Sequence, residues 1–346
     1  MGKEMDLLQE AGRPSTSAAL QSLCKYLGLA ACTGGILGGL RRLLVAPTSA
    51  QKRRHQRRIA LIDNGSMKPE ATLSLRRLAA ALEALAADRG LGDVKVEAVS
   101  YKFSDRIAAS KLEDKPAEIL PAWLQRVASE RPQGPVMLLP LFVGPSTTIG
   151  SSMPEAIKKV ADLDVEIAPP LVCGCPYLSP SSPSGAMELA TILAERLQDL
   201  PRGDDSTKRE EVVFICDHGS PAAPVTRARE AVRVELEKKI GLPVSGCCME
   251  RREGSEYDFN GPLLEAALRQ LPKGARARVA LLFLQQGRHA GPGGDIAGIV
   301  ADVQKERPDV TIATTEVMAG HPALLEILLQ RMQQGVPVKL FAAHSA

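Results

Sequence analysis

The chain has 346 residues, of which 45% are hydrophobic, 24% are charged and 3% are aromatic, and its formal net charge is +3. This length exceeds one ordinary core, so we expect two domains, and the balance of apolar and charged residues excludes wholesale disorder. The small net charge and the scarcity of aromatic side chains argue against a protein that binds nucleic acid, and no nucleic-acid partner is predicted.

Residues 1–57 differ from the rest and are predicted to form an N-terminal extension, helical or disordered. An apolar, glycine-rich run at 27–40 precedes a basic stretch at 52–58. The run is shorter than the ~20 residues that cross a bilayer, so no integral membrane span is predicted. Acidic residues near the start argue against a secretory or transit peptide. We therefore predict a cytoplasmic protein, or one in an organelle such as the plastid if this segment is a targeting signal.

The cysteine content indicates reduced thiols rather than a disulfide framework. There are seven cysteines, and their spacing shows no paired pattern. Cys173 and Cys175 form a Cys-x-Cys pair of a kind that can bind a soft metal. A closed zinc site needs two further ligands, so we favour the interpretation that both are small buried residues.

An internal repeat organises the remaining residues. An apolar run ending in Asp-x-Gly-Ser occurs twice, at 58–66 and at 212–220. After each run, strand-like and helical patterns alternate in the same order. The first copy has strand patterns at 58–63, 94–100, 136–143 and 165–168 and helical patterns at 73–87, 116–129 and from about 153; the second has strands at 212–217, 244–249, 279–284 and 310–313 and helices at 225–239, 262–271 and from about 295. This alternation predicts an α/β fold with two tandem, doubly wound parallel-sheet domains, 58–203 and 204–346.

The loops that follow the predicted strands differ between the two copies. Ligands of parallel sheets bind beyond the carboxyl ends of the strands. The second copy carries His218 after its first strand, Glu250 after its second and His289 after its third, whereas the first copy has neither histidine nor glutamate at these points. His321, after the fourth strand, precedes a proline and fits a helix start as well as a ligand. Chemistry is therefore expected in the second copy.

His218, His289 and Glu250 form a donor set that suits a borderline divalent ion. Imidazole and carboxylate groups favour Fe, Co, Ni or Zn, whereas an all-oxygen set favours Mg or Ca. Such a set leaves coordination positions open to a second ligand. Structural roles also stay open, because His218 could cap the next helix and Glu250 lies in a charged run. The glycine-rich segment 287–294 lacks the Gly-Lys-Ser/Thr of a phosphate loop, so nucleotide binding is not predicted.

The ordered set of motifs resembles the class II sirohydrochlorin chelatases, which insert cobalt or iron in cobalamin and siroheme synthesis. The matching features are His-Gly-Ser after the first strand, Glu250 after the second, the glycine-rich loop with His289 and Gly-His-Pro at 320–322. The resemblance covers about 212–332 well and about 58–197 as a degenerate copy. Asp217 and Arg288 depart from the family pattern, which bears on the identity of the substrate.

The resemblance implies a chelatase that inserts Co2+ or Fe2+, with Ni2+ as a further option, into sirohydrochlorin or a related tetrapyrrole. His218 and His289 would deliver the metal and, with Glu250, accept pyrrole protons, since imidazole ordinarily titrates near neutral pH. The metal is then a substrate, and no organic cofactor is expected. Cations should bind the carboxylates of the tetrapyrrole. The candidates for that role are Arg227, Arg251, Arg252 and Arg288.

Two other functions are compatible with the same residues. The chain could be a non-catalytic carrier of metal or tetrapyrrole, or a scaffold that keeps the fold without chemistry, because fold alone does not settle function. The first copy, which lacks the ligand set, fits a scaffold better than the second. We expect the two copies to pair within the chain as a pseudo-dimer, with a cleft to which the first copy supplies shape and cations and the second supplies ligands.

Overall fold

A computed structural model describes residues 56–160, 162–173, 185–201 and 209–338. The first copy comprises β1 (Arg57–Asp63), α1 (Pro69–Asp88), β2 (Val94–Ser100), α2 (Leu120–Glu130), β3 (Val136–Pro140), α3 (Met153–Lys158), β4 (Val165–Ile167) and α4 (Ala186–Gln198). The second comprises β5 (Glu211–Asp217), α5 (Ala223–Ile240), β6 (Val244–Cys248), α6 (Leu264–Arg269), β7 (Arg276–Leu281), α7 (Asp295–Glu306), β8 (Thr311–Thr314), α8 (Pro322–Met332) and β9 (Val336–Pro337). The N-terminal extension, from which the location of the protein was predicted, lies outside these ranges except for positions 56 and 57. Cys175 also lies outside them.

The described strands form two sheets that follow the internal repeat. One sheet has the order β2-β1-β3-β4-β9 and the other β6-β5-β7-β8. Strands β1 to β4 pair in parallel, as do β5 to β8, while β9 pairs antiparallel with β4. Equivalent strands share one register, with Asp63 opposite Ser100 and Asp217 opposite Cys248. The predicted α/β fold with two parallel sheets is confirmed.

Local sequence explains where these elements form. All five residues of β3 are buried, as expected for a strand of a parallel sheet that is covered on both faces. Proline opens α1 and α8, where its missing N–H is not needed. His321 caps α8, because its side chain accepts a hydrogen bond from the amide of Ala323. Among the described helices, none combines the length and apolarity needed to cross a bilayer.

The terminal helix of each copy packs against the other copy. Helix α4, from the first copy, lies against α5 and β7. Helix α8, from the second copy, lies against α1 and β3, and β9 then extends the edge of the first sheet. The domain boundary at 203/204 stays a prediction. It follows the sequence repeat, whereas in the structure the terminal helix of each copy packs on the other copy.

Polar contacts hold these exchanged helices in place. Arg331 on α8 is fully buried and donates hydrogen bonds to the carbonyls of Pro170 at 3.0 Å and Leu171 at 2.7 Å. His321 Nε2 lies 2.9 Å from Glu195 Oε2 on α4. The largest apolar cluster of described residues draws on both copies. The two copies therefore share one of the three apolar clusters of the described residues, which fixes the position of one set of strand-end loops against the other.

Candidate functional site

The three side chains predicted to act together lie at the carboxyl end of the second sheet. His218 follows β5, Glu250 follows β6 and His289 follows β7. The imidazole rings of His218 and His289 meet edge to face, with centroids 4.5 Å apart and planes at 78°. His218 Nε2 is 3.3 Å from Glu250 Oε1. Parallel strands that end at one edge therefore bring together residues that are far apart in sequence.

The Nδ1 atoms of both imidazoles have local hydrogen-bond partners. His218 Nδ1 is 3.1 Å from the carbonyl oxygen of Gly219, and His289 Nδ1 is 2.7 Å from Asp295 Oδ2. A carboxylate on Nδ1 orients an imidazole and makes its other nitrogen more basic. Asp295 is not among the site residues that the sequence predicts, because its contact with His289 depends on how the glycine-rich loop folds.

A glycine in the left-handed conformation sets the spacing between His218 and Glu250. Gly219 has φ +90°, and a Cβ there would lie 1.8 Å from the carbonyl oxygen of Glu250. A side chain is excluded by this close approach and by the positive φ. The amide of Glu250 also donates to the carbonyl of His218 at 3.1 Å. The glycine of the motif is therefore needed to bring the two loops together.

A buried polar network supports this loop from below. Arg229 on α5 is 2% exposed and forms an ion pair with Asp217 at 3.2 Å. Burial raises the pKa of Asp217, and the Arg229 guanidinium opposes that rise. The fully buried amide of Asn260 accepts from the Ser220 amide at 2.9 Å and donates to the Ser220 carbonyl at 3.0 Å. Sequence reasoning missed Arg229 and Asn260, because neither lies in a motif.

The described side chains do not form a preformed metal site. Within the described ranges, no group of three or more His, Cys, Asp or Glu residues is placed to hold a metal ion. The two imidazole rings meet edge to face, and binding one ion between them would require the rings to turn. Side-chain exposures of 45% for His218, 31% for His289 and 61% for Glu250 permit such rotation. Convergence of the three groups on one ion stays a prediction.

A cleft of about 820 Å³ lies between the two copies, at the strand ends. His218, Arg288 and His289 line it from the second copy. Lys68, Phe103 and Arg106 are among the residues that line it from the first copy. A ligand in this cleft would therefore contact both copies, although the imidazoles belong to one wall.

Comparison with known proteins finds a family match in the second copy. Residues 212–335 match the CbiX family model. This region, about a third of the chain, is similar to the CbiX family and is called the CbiX domain below. The matched region contains every histidine and glutamate of the predicted site, and the resemblance to class II chelatases is confirmed for this CbiX domain. No curated protein matches the sequence.

Three solved structures share the fold beyond the CbiX domain. SirB from Bacillus subtilis with Fe3+ is 15% identical and has a TM-score of 0.53, with 84% of this chain and 97% of that chain covered. Sirohydrochlorin chelatase SirB from Bacillus subtilis subspecies spizizenii in complex with cobalt is 15% identical, with coverage of 83% and 96% and a TM-score of 0.51. A multi-domain Deinococcus radiodurans protein with structural similarity to chelatases is 17% identical, with coverage of 83% and 58% and a TM-score of 0.51. These matches show the fold of both copies.

The four arginines predicted to bind substrate have different surroundings in the CbiX domain. Arg288 lines the cleft and is 75% exposed. Arg251 is ion-paired at 2.8 Å to Asp258, and Arg252 lies 5.8 Å from the centre of a tyrosine ring. Arg227 is exposed on α5, and of the four only Arg288 is among the described residues that line the cleft. The role of all four in substrate binding stays a prediction.

Thiols lie beneath the site but are poorly suited to bind the ion. Cys216, Cys247 and Cys248 are fully buried at the ends of β5 and β6. Burial raises the pKa of the Cys248 thiol to about 11. Because the thiolate is the form that binds metal, this thiol is a weak ligand at neutral pH. The exposed imidazoles and carboxylate of the CbiX domain are the better donors.

Proposed function

We propose that the chain is a class II chelatase that inserts Co2+ or Fe2+, with Ni2+ as a further option, into sirohydrochlorin or a related tetrapyrrole. The observation that carries the proposal is the meeting of His218, Glu250 and His289 within the region that matches CbiX. The shared fold of SirB structures that contain Fe3+ and cobalt supports the choice of metal. The metal ion is a substrate in this proposal.

The hydrogen bonds of the two imidazoles favour metal capture through Nε2. The Nδ1 partners are a carbonyl and a carboxylate, which accept hydrogen bonds, so each neutral ring carries its proton on Nδ1. The Nε2 lone pairs are then available to a metal. His218 Nε2 faces the Glu250 carboxylate at 3.3 Å. Two such acceptors attract a cation between them, either a proton or a divalent ion.

The same pair can act after the ion has moved to the macrocycle. Insertion displaces protons from the pyrrole nitrogens, and these protons need an acceptor. Once the metal has left, the Nε2 of His218 is again a free base beside the Glu250 carboxylate, which stabilises the protonated imidazole. A neutral imidazole can accept a proton and release it to solvent, so His218 can take the two pyrrole protons one after the other. His218 is therefore the proposed proton acceptor, and His289 holds the ion.

The test is metal insertion by variants that are matched between the two copies. His218→Ala and His289→Ala should each lower the rate of Co2+ insertion into sirohydrochlorin by roughly 10²–10⁴-fold. The rate is followed by the absorbance of the macrocycle. Asn64→Ala and Thr148→Ala, at equivalent points of the first copy, should leave the rate nearly unchanged. Wild-type rates in both histidine variants would refute the proposal.

Equilibrium dialysis separates an enzyme from a carrier. A carrier would bind Co2+, Fe2+ or Ni2+ and retain it in the presence of sirohydrochlorin. The proposed chelatase should release the ion into the macrocycle, so protein-bound metal should fall as metallated product appears. Retention of metal without product would replace the chelatase by a carrier.

A further inference from the structure

The first copy has a basic residue where the CbiX domain has its acidic ligand. A Cβ on Gly65 would lie 1.7 Å from the carbonyl oxygen of Lys102, and a Cβ on Gly219 would lie 1.8 Å from that of Glu250. The φ angles of the two glycines are similar, +86° for Gly65 and +90° for Gly219. Lys102 and Glu250 are therefore equivalent positions with opposite charge.

Two further cations of the first copy line the cleft itself. Lys68 is the N-cap residue of α1, and Arg106 ends the short 3-10 helix that follows β2. Counted from Gly65, Lys68 is equivalent to Ala222 of the CbiX domain. Counted from Lys102, Arg106 is equivalent to Gly254. The first copy thus carries positive charge at points where the CbiX domain carries a small neutral residue.

These cations have no acidic partner among the described residues. Lys68 and Arg106 are exposed, and neither forms an ion pair within the described ranges. The Arg106 guanidinium lies 5.4 Å from the centre of the Phe103 ring. Phe103 is 37% exposed and also lines the cleft. The first copy therefore offers two available cations beside an apolar ring, which suits a flat, anionic ligand.

We propose that Lys68 and Arg106 bind carboxylate groups of the tetrapyrrole, with Phe103 as an apolar surface beneath the macrocycle. The inference rests on the proposed function and assigns the first copy the role of a substrate-binding wall. Placing unpaired cations on the wall opposite His218 is a physical advantage, because cations beside His218 would repel the metal ion. Carboxylates beside Glu250 would likewise be repelled. Arg288 does lie on the wall of His289, but it is ion-paired with Asp295 at 3.6 Å. Separation lets one cleft attract both a dication and an anion.

The test is binding of metal-free sirohydrochlorin to the full chain, titrated by absorbance. Lys68→Glu and Arg106→Glu should each raise the dissociation constant by roughly tenfold, and the double variant by more, because each removes a charge-assisted contact. Lys111→Glu is the matched control, since Lys111 is an exposed lysine of the first copy outside the cleft lining. A fully methyl-esterified macrocycle should bind the wild type and the variants alike.

Turnover on the same proteins separates this inference from the proposed function. The double variant should show a raised KM for sirohydrochlorin with kcat preserved, because the contact is made equally in the ground and transition states. Wild-type affinity in the double variant, in a protein that inserts metal, overturns the inference alone. Weakened binding in the variants, with no insertion even by the wild type, overturns the proposed function and leaves the inference. Absence of both binding and insertion in the wild type overturns both.

Discussion

The two copies share one backbone design and differ in the side chains that it presents. Gly65 and Gly219 have nearly the same φ and make the same close approach to the loop after the second strand. In the CbiX domain this geometry brings two imidazoles together. In the first copy it brings together Asn64 and Thr148, whose side-chain oxygens are 3.5 Å apart. The strand-end geometry thus persists without the ligands, because it depends on strand register and glycine.

The aspartate at the end of the first strand shows a second difference. In the CbiX domain, Asp217 pairs with Arg229. Leu75 takes the place of that arginine on α1, ten residues after the equivalent glycine. Asp63 Oδ1 is buried without a hydrogen-bond partner among the described residues, and burial raises the pKa of the Asp63 carboxyl to about 6. The copy with the proposed chemistry therefore has the satisfied carboxylate.

Breaking the buried pair of the CbiX domain should have the largest effect on stability. Asp217→Asn removes the buried one of two carboxylates beside the Arg229 guanidinium, and Glu230 remains at 3.0 Å. We therefore expect the free energy of unfolding to fall by about 2–4 kcal/mol, less than for a buried charge with no partner. Urea denaturation measures this change. A loss below about 1 kcal/mol would show that Glu230 and the carbonyl contacts together satisfy the arginine.

The equivalent substitution in the first copy, Asp63→Asn, should increase the free energy of unfolding rather than lower it. The pKa of Asp63 is about 6 in the folded protein, against 3.8 for the free side chain. Ionisation of this carboxyl therefore favours the unfolded state, and the free energy of unfolding falls as the pH rises between these two values. Asp63→Asn should raise the free energy of unfolding by about 1–3 kcal/mol at pH 7, with little gain below about pH 4. Urea denaturation as a function of pH measures this gain. Equal stability of the two proteins at pH 7 would contradict it.

Replacing Glu250 by lysine, the residue type of the equivalent Lys102, should lower the rate of metal insertion and leave the fold intact. Glu250→Lys removes the carboxylate beside His218 and repels the metal, so insertion should slow by roughly 10–100-fold. Because Glu250 is exposed, the free energy of unfolding should change by less than about 0.5 kcal/mol. The matched control is Glu253→Lys, in the same charged run. A similar loss of activity in that control would point to a general effect of charge.

The smallest effect is expected at a buried amide of the cleft. Gln285 lines the cleft, and its side-chain nitrogen and oxygen are buried without hydrogen-bond partners among the described residues. The equivalent residue of the first copy is Gly144. Gln285→Leu should raise the free energy of unfolding by about 1 kcal/mol, because it removes the cost of burying an unsatisfied amide. A decrease, measured by urea denaturation, would show that this amide contributes to stability.

Local pattern predicted most of the secondary structure and the order of the strand-end loops. The strand predicted at 94–100 is Val94–Ser100, and the Asp-x-Gly-Ser runs end β1 and β5. The strand predicted at 136–143 stops at Pro140, and the helix predicted from 116 begins at Leu120. Such ends are set by contacts with neighbouring loops, so periodicity locates an element better than it locates its last residue.

Several contacts between residues distant in the chain were not predicted from the sequence. The pattern of α8 indicates a helix but not that it packs on the first copy, because one apolar face fits either core. The Arg229–Asp217 pair, the Asp295–His289 contact and the cleft cations follow from where the loops meet. Amino-acid order sets local conformation and the residues that each strand end presents. Long-range packing sets which of those residues meet, because burial and charge pairing are properties of the whole fold.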